Sequence, residues 1–180
     1  MAEQDLTVVQ LLLIEYQSIK DEQKARIGFR DNLLYVTLTV VAAVVAAAAT
    51  TKQTAVLLAL PPVCVVLGWT YLVNDEKITA IGRYIRNDLG PRLAQLIHAE
   101  KTFGWEFANQ ADPSRRYRKM VQCMVDLLAF CAVPLSALVV YWGGGQTVPG
   151  LLVLSVSEAL AVAGLGAFIV RFWRTQPRAS

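Results

Sequence analysis

The chain has 180 residues, 55% hydrophobic and 17% charged, with a formal charge of +3 and a mean hydropathy of +0.43. Soluble domains carry about 25% charged residues. The apolar excess here is gathered into four blocks, which excludes an ordinary soluble domain and points to an integral membrane protein.

The opening thirty residues are too polar and too acidic for a secretory signal peptide, so the first apolar block is expected to stay in the mature protein. Residues 1–32 read as an N-terminal cytoplasmic amphipathic helix. Leu6, Val9, Leu13 and Tyr16 recur at helical spacing, as do Leu12, Tyr16 and Ile19. Glu22 and Arg26 sit one turn apart in the favourable order. Only Gly28 separates this helix from the first apolar run, 33–50, so the two should be nearly continuous.

"TTKQT" turns the chain into a second apolar run, 55–73, and the two form a transmembrane hairpin, 33–73. The segment 74–119 follows as a cytoplasmic helical region. Its stripe of Ile78, Ile81, Ile85, Leu89, Leu93 and Leu96 has helical spacing. Such a stripe packs on a neighbouring helix or lies on lipid headgroups. Gly90–Pro91 should kink or restart it. Asp112 and Pro113 have the chemistry of a helix cap and first position. Arg115, Arg116, Arg118 and Lys119 come next, a cluster that attracts anionic lipid or simply anchors topology. Six acids in the same segment, among them Asp75, Glu76 and Asp88, argue against a nucleic-acid platform.

A second hairpin, 120–171, contains runs at 120–142 and 149–170 joined by "GGGQTVPG", and a cytoplasmic tail, 172–180, ends the chain. Pro61–Pro62 and Pro134 should interrupt the helical ladders of spans two and three. Trp69, Tyr71, Tyr141, Trp142 and Trp173 suit an interfacial aromatic belt. Of the 17 basic residues only Lys52 lies in the two short turns, and lysines and arginines are retained on the cytoplasmic side. The expected fold is therefore all-α and polytopic: four transmembrane helices, amphipathic cytoplasmic helices, both termini inside.

Two of the 14 acids, Asp126 and Glu158, fall within spans, and no lysine or arginine does. A charged acid at a helix centre costs about 2.5–3.5 kcal/mol on insertion scales. Glu158 near the middle of span four is thus a packed, hydrogen-bonded acid, a pore carboxylate in an oligomeric ring, or a proton relay. Ser155 and Ser157 offer nearby partners. Ala159, Ala163, Gly164, Gly166 and Ala167 offer a small surface for close helix approach. Asp126, closer to the inner surface, should snorkel to the headgroups or serve as a vestibule charge.

Cys64, Cys123 and Cys131 all lie in apolar blocks, and the chain has a single histidine. Neither a disulfide framework nor a metal site is expected, and no cofactor. No nucleophile with a base or phosphate loop is recognisable, so an enzyme is not expected.

The stretches "EYQSIKDEQKARIGFRDNLLY", "LPPVCVVLGWTYLVNDEKITAIGRYIR" and "GWEFA" resemble a family of small four-span integral membrane proteins of high-GC Gram-positive bacteria. That resemblance implies topology and a multi-pass place in a bacterial plasma membrane, and no activity. In plan only, a helix leading into a hairpin of spans and then a cytoplasmic helix, the chain is similar to SLATT-type defence effectors. The functional expectation is an oligomeric ion channel or permeabilising effector with Glu158 facing a pore. The alternative is a non-conducting scaffold or sensor whose cytoplasmic helices bind a partner protein. Expected partners are the lipid bilayer, further copies of the chain and, in the second case, a cytoplasmic protein.

Overall fold

A computed structural model describes residues 2–100, 102–103, 114–145 and 148–175. Among them the regular structure is all helical, with no strand. Four helices are long and apolar enough to cross a membrane: Thr7–Thr51, Thr54–Leu96, Tyr117–Gly143 and Pro149–Arg174.

Helix α1 (Ala2–Thr51) is unbroken. It contains no proline, and Gly28 sits in open space where nothing forces a bend. Its polar half is laced by pairs one turn apart, including Arg26 to Glu22 at 2.6 Å and Lys24 to Asp21 at 3.2 Å. In its apolar half Thr37, Thr39, Thr50 and Thr51 return their hydroxyls to carbonyls four residues back, so these donors are satisfied within the helix. The helix ends where Lys52 takes a left-handed φ of 56°.

A 3₁₀ segment, Thr54–Ala59, leads into α2 (Leu60–Tyr84). Pro61 and Pro62 therefore occupy the first turn of α2, where backbone N–H groups lack helical acceptors in any case. They start the helix rather than breaking a ladder in mid-span.

Pro91 and Pro134 are accommodated in one shared way. Beyond α2 a π-turn, Ile85–Leu89, precedes α3 (Gly90–Leu96); beyond α4 (Arg115–Leu127) a π-turn, Leu128–Ala132, precedes α5 (Val133–Gly143). In each case the residue just before the proline donates five residues back, Gly90 to Ile85 and Val133 to Leu128. The widened turn gives the pyrrolidine ring of Pro91 or Pro134 room, and the helix continues. Gly90 serves this directly, since a Cβ there would lie 3.0 Å from the Ile85 carbonyl oxygen. Helix α6 (Pro149–Thr175) completes the described chain. The Asp112–Pro113 start and most of the tail lie outside the described residues.

The chain divides into two compact units. One draws on Met1–Arg30 and Val73–Arg115. Within it, polar bonds join α1 to α2: Arg30 to Asp75 at 3.0 Å, Asn74 Nδ2 to the Arg26 carbonyl at 2.6 Å, and the Tyr84 hydroxyl to Glu15 at 2.7 Å. Tyr16 stacks on Phe103 with centroids 4.0 Å apart. From the 78–96 stripe, Ile85, Leu89 and Leu93 are buried, while Leu96 is exposed. On α1, Val9, Leu12, Tyr16 and Ile19 are half-buried, and Leu13 faces outward with Val8, Leu11 and Ile14.

The other unit draws on Asp31–Leu72 and Arg116–Arg178. Its largest core gathers Leu33, Tyr71, Leu72, Phe130, Val162, Leu165 and Ile169 from four helices. Gly68 permits that convergence, because a Cβ there would lie 2.8 Å from Leu165 and 2.9 Å from Phe130. A smaller core of Leu58, Leu138 and Tyr141 packs against Leu151 and Ala159. Tyr71 and Tyr141, expected in an aromatic belt, are core residues at 4% and 1% exposure. Their rings are large apolar bodies that fill space between helices. Trp69 and Trp142 are exposed, and Trp173 is half-buried.

Candidate functional site

Helix α6 buries one residue in every three or four: Ser155, Glu158, Val162, Leu165 and Ile169. This is the seam of a helix packed on its neighbours, and Glu158 belongs to it. The residue is 8% exposed, and its Oε2 is buried without a hydrogen-bond partner among the described residues. The serines that looked available are engaged elsewhere. Ser155 Oγ donates to the Leu152 carbonyl at 2.8 Å and accepts from Trp142 Nε1 at 2.9 Å. Ser157 Oγ donates to the Leu154 carbonyl at 2.7 Å. In both cases the backbone three residues back is closer to hand than the next turn. The Tyr141 hydroxyl, buried on α5, likewise has no partner among the described residues. A polar group buried unpaired costs about 1–3 kcal/mol even when neutral.

A ring of Glu158 carboxylates between subunits would need this face turned outward. Within the chain it is turned into the protomer's own bundle. The small surface divides accordingly: Ala163, Gly164 and Ala167 are exposed, while Gly166 approaches Cys131, its notional Cβ 3.4 Å from that sulfur.

Asp126, on α4, does not snorkel. It is 2% exposed, and its Oδ1 accepts from Gln122 Nε2 at 2.9 Å. The same amide nitrogen donates to the Tyr71 hydroxyl at 2.7 Å, tying α4 to α2. A short side chain six residues into an apolar helix is better served by an amide one turn away than by distant headgroups. The Gln122/Asp126 spacing is visible in the sequence. Tyr71, contributed by another helix, is not.

The structure keeps the two acids apart. Cys131 faces the Val162 carbonyl across α6, with sulfur and oxygen 3.9 Å apart. Asp126 lies five residues before Cys131 and Glu158 four before Val162. On antiparallel helices that puts them on opposite sides of this level, roughly 13 Å apart along the axis. Phe130, wholly buried, and Leu165 fill the layer between.

Of the basic cluster, Arg118 is exposed and Lys119 half-buried, while the side chains of Arg115 and Arg116 lie outside the described ones. Cys64 and Cys131 are buried, Cys123 is partly so, and all three are free thiols. No group of three or more His, Cys, Asp or Glu side chains suited to a metal ion occurs among the described residues. What the arrangement can do chemically is hold a proton or a small cation on a carboxyl oxygen that has no hydrogen-bond partner among the described residues. No family model, curated protein or solved structure matches the chain.

Proposed function

We propose that the chain is a multi-pass protein of a bacterial plasma membrane that forms homo-oligomers and conducts protons or small cations, with Glu158 as the group that meets the moving ion. Both termini and the 74–119 segment lie in the cytoplasm in this reading, as the placement of 16 of 17 basic residues requires. The observation that carries it is the Glu158 Oε2 atom, buried in an apolar bundle with its bonding capacity unused. Intramembrane acids that persist without structural partners mark ion and proton pathways. The path runs through each protomer's bundle, because that is the side Glu158 faces. The exposed Ala163–Gly164–Ala167 surface is suited to close approach of a second copy.

A scaffold reading is favoured by a different observation: Val8, Leu11 and Ile14 form an exposed apolar patch on the part of α1 that precedes the span. A cytoplasmic protein partner would cover it.

Proteoliposomes with an entrapped pH indicator, under an imposed potential, separate the two. Wild-type protein should carry proton or cation flux, and Glu158→Gln should reduce it at least tenfold. Placing Cys at 158, with Cys64, Cys123 and Cys131 changed to Ala, should give labelling by an impermeant thiolate reagent from one side. Wild-type flux no greater than that of protein-free liposomes, with no labelling in folded protein, would leave the scaffold reading, and equal flux from wild type and E158Q would remove Glu158 from the path.

A further inference from the structure

In the second unit, a groove of about 420 Å³ lies between the end of α1, the 3₁₀ segment and α5. Its walls are apolar: Val45, Ala48 and Ala49 on one side, and Val133, Ala137 and Val140 on the other, with Leu57 and Leu60 between. Ser136 turns its hydroxyl back to the Val133 carbonyl, so the wall it presents is effectively apolar. The groove follows α1 from Val45 to Lys52, roughly 10 Å of helix. One end carries Lys52 and Thr54, whose side chains make no hydrogen bond among the described residues, and no acid lines the groove. Its volume is in the range of small-molecule sites.

We propose that this groove holds a phospholipid with a net anionic headgroup, one acyl chain lying along the apolar walls and the phosphate meeting Lys52 and Thr54. The distribution of polarity argues for this occupant. A slot that is apolar along its length and cationic at the end of a membrane-spanning helix matches a lipid from tail to head. The apolar helix of a second copy would leave the Lys52 ammonium unmet. A zwitterionic headgroup brings its own cation beside the phosphate, so a net anionic one is preferred. Lys52 is also the one basic residue in the two short turns, so in the topology proposed above this lipid belongs to the outer leaflet. The inference rests on the spans of that reading and not on conduction.

The test is native mass spectrometry of the full chain in detergent, titrated with phosphatidylglycerol and with phosphatidylcholine of identical acyl chains. Wild-type protein should retain one phosphatidylglycerol about fivefold more strongly than phosphatidylcholine, the advantage of a single cation near an anionic headgroup. Lys52→Gln should abolish that preference, and Lys52→Arg should keep it. Ala49→Phe, which fills the groove from an exposed position, should remove the retained lipid while Lys52 remains. Lipid held by the cytoplasmic Arg115–Lys119 cluster would be indifferent to both K52Q and A49F. Retention that neither variant changes, or that never distinguishes the two lipids, overturns the proposal. Because the readout is mass, this result is independent of whether E158Q alters flux.

Discussion

Asp126 and Glu158 are both carboxylates on apolar helices of the same unit, 2% and 8% exposed. Their surroundings differ in kind. Asp126 has Gln122 one turn away, and that amide also reaches Tyr71 on a second helix, so the acid belongs to a bonded network. Glu158 has two serines within one turn, and both return to their own backbone. The difference lies in reach. A glutamine extends far enough to bond a side chain one turn on, whereas a serine in a helix finds its own carbonyl first. An acid near serines is therefore not thereby satisfied, and the unsatisfied one is the better candidate for chemistry.

The comparison can be broken most forcefully at the layer between the two acids. Phe130→Ala should cost about 3–5 kcal/mol, seen as a large fall in the thermal midpoint of detergent-solubilised protein. A small loss would mean that the Phe130–Leu165 layer does not separate the two polar levels. Next comes the network itself. Gln122→Leu removes the amide that donates to both Asp126 Oδ1 and the Tyr71 hydroxyl and should destabilise by about 1–3 kcal/mol. Glu158→Leu should move the other way, stabilising by about 1–2 kcal/mol as an unpaired buried polar group is replaced by a hydrocarbon of similar size. If both variants destabilise alike, Glu158 has a partner after all and the contrast fails.

The smallest effect lies in the first unit, where polar contacts are made between helices rather than left open. The Glu15 carboxylate accepts from the Tyr84 hydroxyl and pushes this phenol above its ordinary pKa. Its contribution is fully present below the unfolded value near 10 and is lost as pH rises through the higher folded value. Tyr84→Phe should cost about 0.5–1 kcal/mol at pH 7, discounted for partial exposure. The deficit should shrink above pH 10 in parallel melts of the two proteins. A constant deficit across that range would assign the loss to packing.

Much of this was legible from residue order. The four long apolar helices follow from composition alone, because a run of about twenty apolar residues has few other fates. The continuity of α1 follows from its lack of proline. The roles of the prolines are less legible in the sequence. Pro61 and Pro62 look like mid-span breaks until the 3₁₀ segment before them moves the start of α2 to Leu60. Pro91 and Pro134 look like kinks, yet a single five-back hydrogen bond ahead of each lets the helix run on. That choice depends on whether neighbouring helices support a widened turn, which local sequence does not encode. The burial of Tyr71 and Tyr141 is not legible in the sequence for a related reason. An amphipathic ring suits a membrane interface or a packed core equally, and only the positions of the neighbouring helices select between them.

Sequence by itself determined the class of the molecule, the number of candidate spans and the two acids within them. Those properties rest on one-dimensional quantities: the length of an apolar run, and the cost of placing a charge in it. Tertiary structure decided which way each acid faces, that Asp126 bonds Gln122 while Glu158 Oε2 has no partner among the described residues, and that apolar side chains from α1, the 3₁₀ segment and α5 line a groove ending at Lys52. Facing and partnership depend on helix rotation and on side chains from distant parts of the chain. Those are set only when close-packed helices settle which side of each is covered.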